Sequence, residues 1–139
     1  MIRIYIYFLM CTGILNIGNA QVSWRKLSVT GTPPTSRGWF HAGSIVCNET
    51  WYVFGGNDGT NKNDVFSFDL NTQNWKQITT TSTIKPSPRH ASTSLYDRND
   101  SIVIFGGYSS TYLNDVWKFN LISHTWSQLT IGSPKPPTR

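Results

Sequence analysis

The apolar residues of this chain fall into short runs set between polar, turn-forming stretches, and the runs come in pairs. Trp51-Tyr52-Val53-Phe54 and Ile102-Val103-Ile104-Phe105 are apolar without alternation, and each is followed by two glycines, Gly55-Gly56 and Gly106-Gly107. Unbroken apolar runs of this length predict strands buried on both faces. Val65-Phe66-Ser67-Phe68-Asp69-Leu70 and Val116-Trp117-Lys118-Phe119-Asn120-Leu121 alternate bulky with small or polar residues, predicting strands with one buried and one wetter face. His41-Ala42-Gly43-Ser44-Ile45-Val46 and His90-Ala91-Ser92-Thr93-Ser94-Leu95 open on small side chains, as a crowded inner strand requires. A fourth strand is predicted at Asn74-Trp75-Lys76-Gln77-Ile78 and at Thr125-Trp126-Ser127-Gln128-Leu129.

The pairing follows one interval. Adding 51 carries Gly55 to Gly106, Gly56 to Gly107, Asp64 to Asp115, Phe68 to Phe119 and Trp75 to Trp126; subtracting it from Trp75 reaches Trp24. A period near 50, with four strand-like segments per copy and a double glycine after an apolar run, resembles the kelch repeat, whose units form the blades of β-propellers. The resemblance covers residues 21–139. It implies an all-β fold of two four-stranded antiparallel blades, residues 38–88 and 89–139. A lone N-terminal fourth strand around Trp24, with its linker, occupies residues 21–37. Two blades leave apolar faces uncovered, so the resemblance implies an incomplete β-propeller, closed either by blades of a longer chain or by self-association.

Residues 1–20 stand apart. A short basic start, an apolar stretch and the small residues Gly18 and Ala20 form the pattern of a secretory leader cleaved after Ala20. This predicts secretion, with no membrane span in the mature chain, because the stretch is short and interrupted by polar residues. Its loss removes Cys11, leaving Cys47 alone in an oxidising compartment. The formal net charge is +5, but Arg25 and Lys26 form the only adjacent basic pair, so no nucleic-acid patch is expected.

Most candidate chemistry reads as structure, because it recurs. Trp24, Trp75 and Trp126 invite sugar stacking, but a fixed place in each unit predicts packing between blades. Asp64 and Asp115 are expected to satisfy loop N–H groups rather than to act as an acid–base pair. The double glycines allow close backbone approach and positive φ. His41, His90 and His124 lack metal-ligand spacing, so neither a metal nor a cofactor is expected. Asn48-Glu49-Thr50 and Asn99-Asp100-Ser101 are glycosylation acceptor sequences in turns at one end of the units.

At the opposite end, the loops at 57–63 and 108–114 differ most between copies, which makes Asn57, Asp58, Lys62, Tyr108 and Tyr112 the candidate binding residues for a protein or glycan partner. The expected function is a noncatalytic, secreted or cell-surface interaction module. The alternative is part of a kelch-propeller enzyme resembling galactose oxidase or a sialic acid epimerase. The copper-ligand set of the oxidase finds no match in this sequence.

Overall fold

The computed structural model describes residues 24–40, 44–134 and 136–138. The expected leader, residues 21–23 of the expected N-terminal strand, and His41 lie outside the described residues. Nine strands are present among those described: β1 (Thr30–Gly31), β2 (Ser44–Cys47), β3 (Thr50–Asn57), β4 (Asn61–Asp69), β5 (Asn74–Ile78), β6 (Thr93–Tyr96), β7 (Ser101–Tyr108), β8 (Tyr112–Asn120) and β9 (Trp126–Leu129). They form two sheets, ordered β1-β5-β4-β3-β2 and β6-β7-β8-β9. Each sheet contains an antiparallel four-stranded meander, so the molecule is two blades of an open propeller.

The apolar runs do dock the blades. Phe54, Val65 and Ile78 of the first blade pack with Ile102, Ile104, Trp117, Phe119 and Trp126 of the second. The void left among them measures only about 10 Å³, room for one water at most. The inner strands run side by side, with Ser94 Oγ donating to Ser44 O at 3.2 Å. Their small residues permit that approach.

The 51-residue interval also identifies which faces are uncovered. Phe54, Val65 and Ile78 sit opposite one another across the first blade, and Phe105, Val116 and Leu129 occupy the same places in the second. The first three are buried, whereas Phe105 and Val116 are half-buried and Leu129 is 39% exposed. On the other side, Trp126 is 4% exposed while its equivalent Trp75 is only half-buried, leaning on Trp51 and Phe68 of its own sheet with centroids 5.4 and 4.9 Å away. Expected inter-blade packing therefore holds for Trp126. Trp75 occupies the same row on a face with no neighbouring blade among the described residues.

Several boundaries differ from expectation. The double glycines do not end the second strand; β3 and β7 continue through them as bulges, with register shifts between Phe54 and Gly56 and between Phe105 and Gly107. Gly55 adopts φ 62°, and a Cβ there would lie 2.6 Å from Arg89 O, so only glycine lets the inter-blade linker lie against the strand. Continuing strands shorten the loops expected at 57–63 and 108–114 to residues 58–60 and 109–111. The second inner strand begins at Thr93, not at His90, and the first is described from Ser44.

The expected N-terminal fourth strand belongs to a blade beyond these two, and it has no third strand to pair with among the described residues. Described residues from Trp24 to Val29 form no strand, and Trp24 is 97% exposed. A fourth strand needs the free edge of a third, and β5 and β9 already occupy those of β4 and β8. Pairing starts later, at β1, which lies parallel to β5 with Thr30 N donating to Gln73 O at 3.0 Å. The second blade repeats this bond as Thr81 N to His124 O at 3.1 Å, so β1 corresponds to an inter-blade linker.

Candidate functional site

Each linker ends in an arginine folded under the bulge of the blade it enters. Arg37 donates to both carboxylate oxygens of Asp64, at 2.6 and 3.1 Å, and to Gly55 O. Arg89 does the same with Asp115, at 2.6 and 2.9 Å, and with Gly106 O. Such paired contacts match the planar fork of guanidinium to the carboxylate. Asp64 and Asp115 were expected to receive loop N–H groups; instead they hold the linkers in place. Burial of Asp115 opposes its ionisation, but Arg89 and the indole N–H of Trp117 outweigh it and hold the carboxyl below its ordinary range.

These arginines lie 52 apart, one more than the strands. Linker positions therefore correspond as Arg37 to Arg89, Gly38 to His90 and Trp39 to Ala91, with Gly38 bridged to Asn57 and His90 bridged to Tyr108. Trp39 and Ala91 share left-handed backbone, φ 60° and 55°, and Ala91 N donates to Trp39 O at 2.8 Å. His90 thus matches Gly38, and the expected equivalence of His90 with His41 is corrected.

This register brings together residues that linear comparison separates. Trp39, His90, Ala91, Tyr108 and Tyr112 line a cleft of about 270 Å³ where the linkers meet the hairpin ends. Ring centroids lie 6.1 Å apart for Trp39 and His90, 5.4 Å for His90 and Tyr108, and 5.1 Å for Tyr108 and Tyr112, the last pair edge-on. Trp39 is 62% exposed and Tyr112 60% exposed. An indole this exposed on a left-handed backbone is uncommon, and strain of that kind concentrates at binding sites.

Asparagines of the first blade set the histidine. Gly59 N donates to Asn57 Oδ1, which turns the Asn57 amide toward Asn61, where Nδ2 donates to Oδ1 at 2.8 Å. Asn61 Nδ2 donates to Ser109 O, so its oxygen faces His90 Nδ1 at 2.7 Å. The imidazole accordingly carries a proton on Nδ1.

The remaining first-loop residues are held differently. Asp58 takes the Thr35 hydroxyl at 2.7 Å and the Lys62 ammonium at 3.0 Å, and these contacts, the hydroxyl first, hold its carboxyl far below the ordinary range. Of the five expected binding residues, then, Tyr108 and Tyr112 line the cleft, Asn57 braces it from behind, and Asp58 and Lys62 stitch the loop to its linker. Trp39, His90 and Asn61 were missed. Each differs in kind from its repeat equivalent, a signal visible for Asn61 at the 51-residue interval and for Trp39 and His90 only at the 52-residue linker interval.

Two wider grooves, about 430 and 400 Å³, include Asn63, Asp64, Gln77 and Ile78 in one blade and Asn114, Asp115, Gln128 and Leu129 in the other. Their recurrence at the 51-residue interval marks them as blade geometry. Cys47 is free and buried, and burial, then the nearby Asp100 charge, pushes its thiol up, away from reactive thiolate. Asn48 and Asn99 are exposed at the end remote from the cleft, in hairpin turns of unequal length. Asn48 and Glu49 form a two-residue turn with φ 47° and 58°, as type I′ requires.

Blades built this way, with a variable cleft on a repeated frame, define a kelch-type propeller segment. The KLHDC2/KLHL20/DRC7 Kelch-repeats domain family matches residues 8–139, and the chain belongs to it. It is similar to the leucine-zipper-like transcriptional regulator 1 homolog of Drosophila melanogaster, 30% identical over 93% of this chain and 14% of that protein. Human Kelch domain-containing protein 3 is 28% identical over 84% of this chain and 33% of its own length. The Rab9 effector protein with kelch motifs of Xenopus laevis is 31% identical over 77% of this chain and 29% of its own. The chain thus spans a third or less of each of these relatives.

Proposed function

We propose that this chain is a noncatalytic protein-binding module that engages its partner at the aromatic cleft between the two blades. One observation carries this reading. The frame recurs from blade to blade, while Trp39, His90, Tyr108 and Tyr112 replace Ala91, Gly38, Asn57 and Asn61 at the matching places. Packing requirements act alike on both blades, so departures gathered into one exposed cleft point to recognition. A relative named as a Rab9 effector supports protein rather than glycan as the partner. The carboxylates considered for acid–base work are occupied by arginines.

A photo-crosslinking residue at position 112 is expected to capture partner protein in cells, and the same residue at exposed Lys76 on the outer strand is not. Equal capture at both positions, or none at 112, would remove the cleft from consideration.

We also propose that the protein is exported through its leader and glycosylated at Asn48 and Asn99. Exposure of both asparagines supports the second part. Mass spectrometry of the secreted protein should find Gln21 at the amino terminus and a mass loss at both sites on enzymatic deglycosylation. A retained Met1 would refute export.

A further inference from the structure

We infer that the cleft takes an extended, proline-containing peptide segment in the polyproline II conformation. This rests on the preceding reading of the cleft as the partner site and adds the chemistry of what enters it.

The first argument is charge. No carboxylate, ammonium or guanidinium lines the cleft, whose one basic side chain is the His90 imidazole, and the Asp58–Lys62 pair of the adjoining loop is closed on itself and on Thr35. A phosphate or a charged peptide finds no guanidinium, ammonium or carboxylate partner there.

The second argument is the balance of donors and acceptors. Among the described residues, no hydrogen bond occupies the hydroxyls of Tyr108 and Tyr112 or the indole N–H of Trp39. The indole N–H only donates, and each phenol can both donate and accept. Behind the cleft, Asn57 Oδ1 accepts from Gly59, Asn61 Oδ1 from Asn57 and His90, and Asp58 from Thr35 and Lys62, which leaves His90 Nε2 and the phenol oxygens as the side-chain acceptors of the lining. A polyproline II segment has the complementary inventory. Its carbonyls make no internal hydrogen bonds and its prolines carry no N–H, so it presents acceptors that the indole and phenol donors can meet.

Shape is the third argument. Tyr108 and Tyr112 meet at 73°, forming a notch, and Trp39 stands across His90 from them. Rings set at angles accept the flat faces of pyrrolidine rings, as in other aromatic-lined grooves that dock proline-rich segments. At about 270 Å³ the cleft is shallow, suited to a segment lying across it.

The test titrates the full chain with a blocked polyproline peptide, a length-matched polyalanine-based peptide and a chitin oligosaccharide, following tryptophan fluorescence and calorimetry. Binding of the polyproline peptide alone is expected, weakened about tenfold or more by Trp39→Gly and by Tyr112→Ala. Glycine suits the left-handed backbone at position 39, so that variant removes the indole without straining the fold; near-ultraviolet circular dichroism verifies this. Tyr112→Phe, which keeps the ring and loses the donor, should lose several-fold. No polyproline binding, binding of the oligosaccharide instead, or binding indifferent to Trp39→Gly would overturn the inference. Crosslinking at position 112 separates the two readings. If it still captures protein, only the peptide class falls; if it captures none, the cleft assignment falls too.

Discussion

Trp126→Ala is expected to destabilise the blade pair by about 3–5 kcal/mol, the range for emptying a buried aromatic site. Trp126 is 4% exposed and spans the junction, with its ring 5.1 Å from Phe54 of the first blade and 4.8 Å from Phe119 of its own. Its indole N–H is buried without a hydrogen-bond partner among the described residues. That orphan donor carries a desolvation penalty on the order of 1–3 kcal/mol. Trp126→Phe, which keeps an aromatic ring and removes the donor, should therefore cost far less than alanine. Trp24→Ala is expected to leave stability unchanged, since Trp24 is 97% exposed. Urea denaturation followed by far-ultraviolet circular dichroism ranks the three. Equal losses for Trp24 and Trp126 would contradict the packing described.

Arg89→Ala is expected to cost a similar amount, about 3–5 kcal/mol, because removing one partner of a buried pair strands the other. Arg89 is 1% exposed, and its main chain joins the blades: Arg89 N donates to Lys62 O at 2.8 Å and Gly56 N donates to Arg89 O at 3.0 Å. Lysine should not restore stability, since a single ammonium cannot reproduce the two-pronged contact with Asp115. The same pair sets a pH dependence. With the folded carboxyl of Asp115 below its unfolded value, its stabilising contribution is fully present above the unfolded value of about 4. It is lost as pH falls through the folded value. Asp115→Asn should accordingly flatten the loss of stability in acid, and an unchanged acid slope would show that Asp115 does not titrate with folding.

The sequence carried the blade architecture because packing repeats. Trp126, Phe119 and the apolar runs at 51–54 and 102–105 fill the same space in each unit, and one interval exposes them. Trp24 carries the same motif without a blade to receive it. Its local sequence resembles a fourth strand, but strand formation depends on an available edge, which lies outside local pattern. The loop lengths were overestimated because double glycines read as strand ends, whereas bulges let β3 and β7 pass through them. The cleft escaped because its linker residues follow an interval of 52 and because recognition residues are the ones that do not recur. Tyr108, Tyr112 and Asn61, in the hairpins that keep the strand register, could be found by comparing copies.

The uncovered sides of the pair are unlike each other, one bearing the row of Trp51, Phe68 and Trp75 and the other the row of Phe105, Val116 and Leu129. Each row is of the kind that packs against the opposite one at the seam between Ile78 and Trp126. Assembly on these sides would consequently be polar. A dimer about a two-fold axis would set like row against like, whereas head-to-tail addition repeats the native seam and advances by a constant rotation, as a ring closes or a spiral grows.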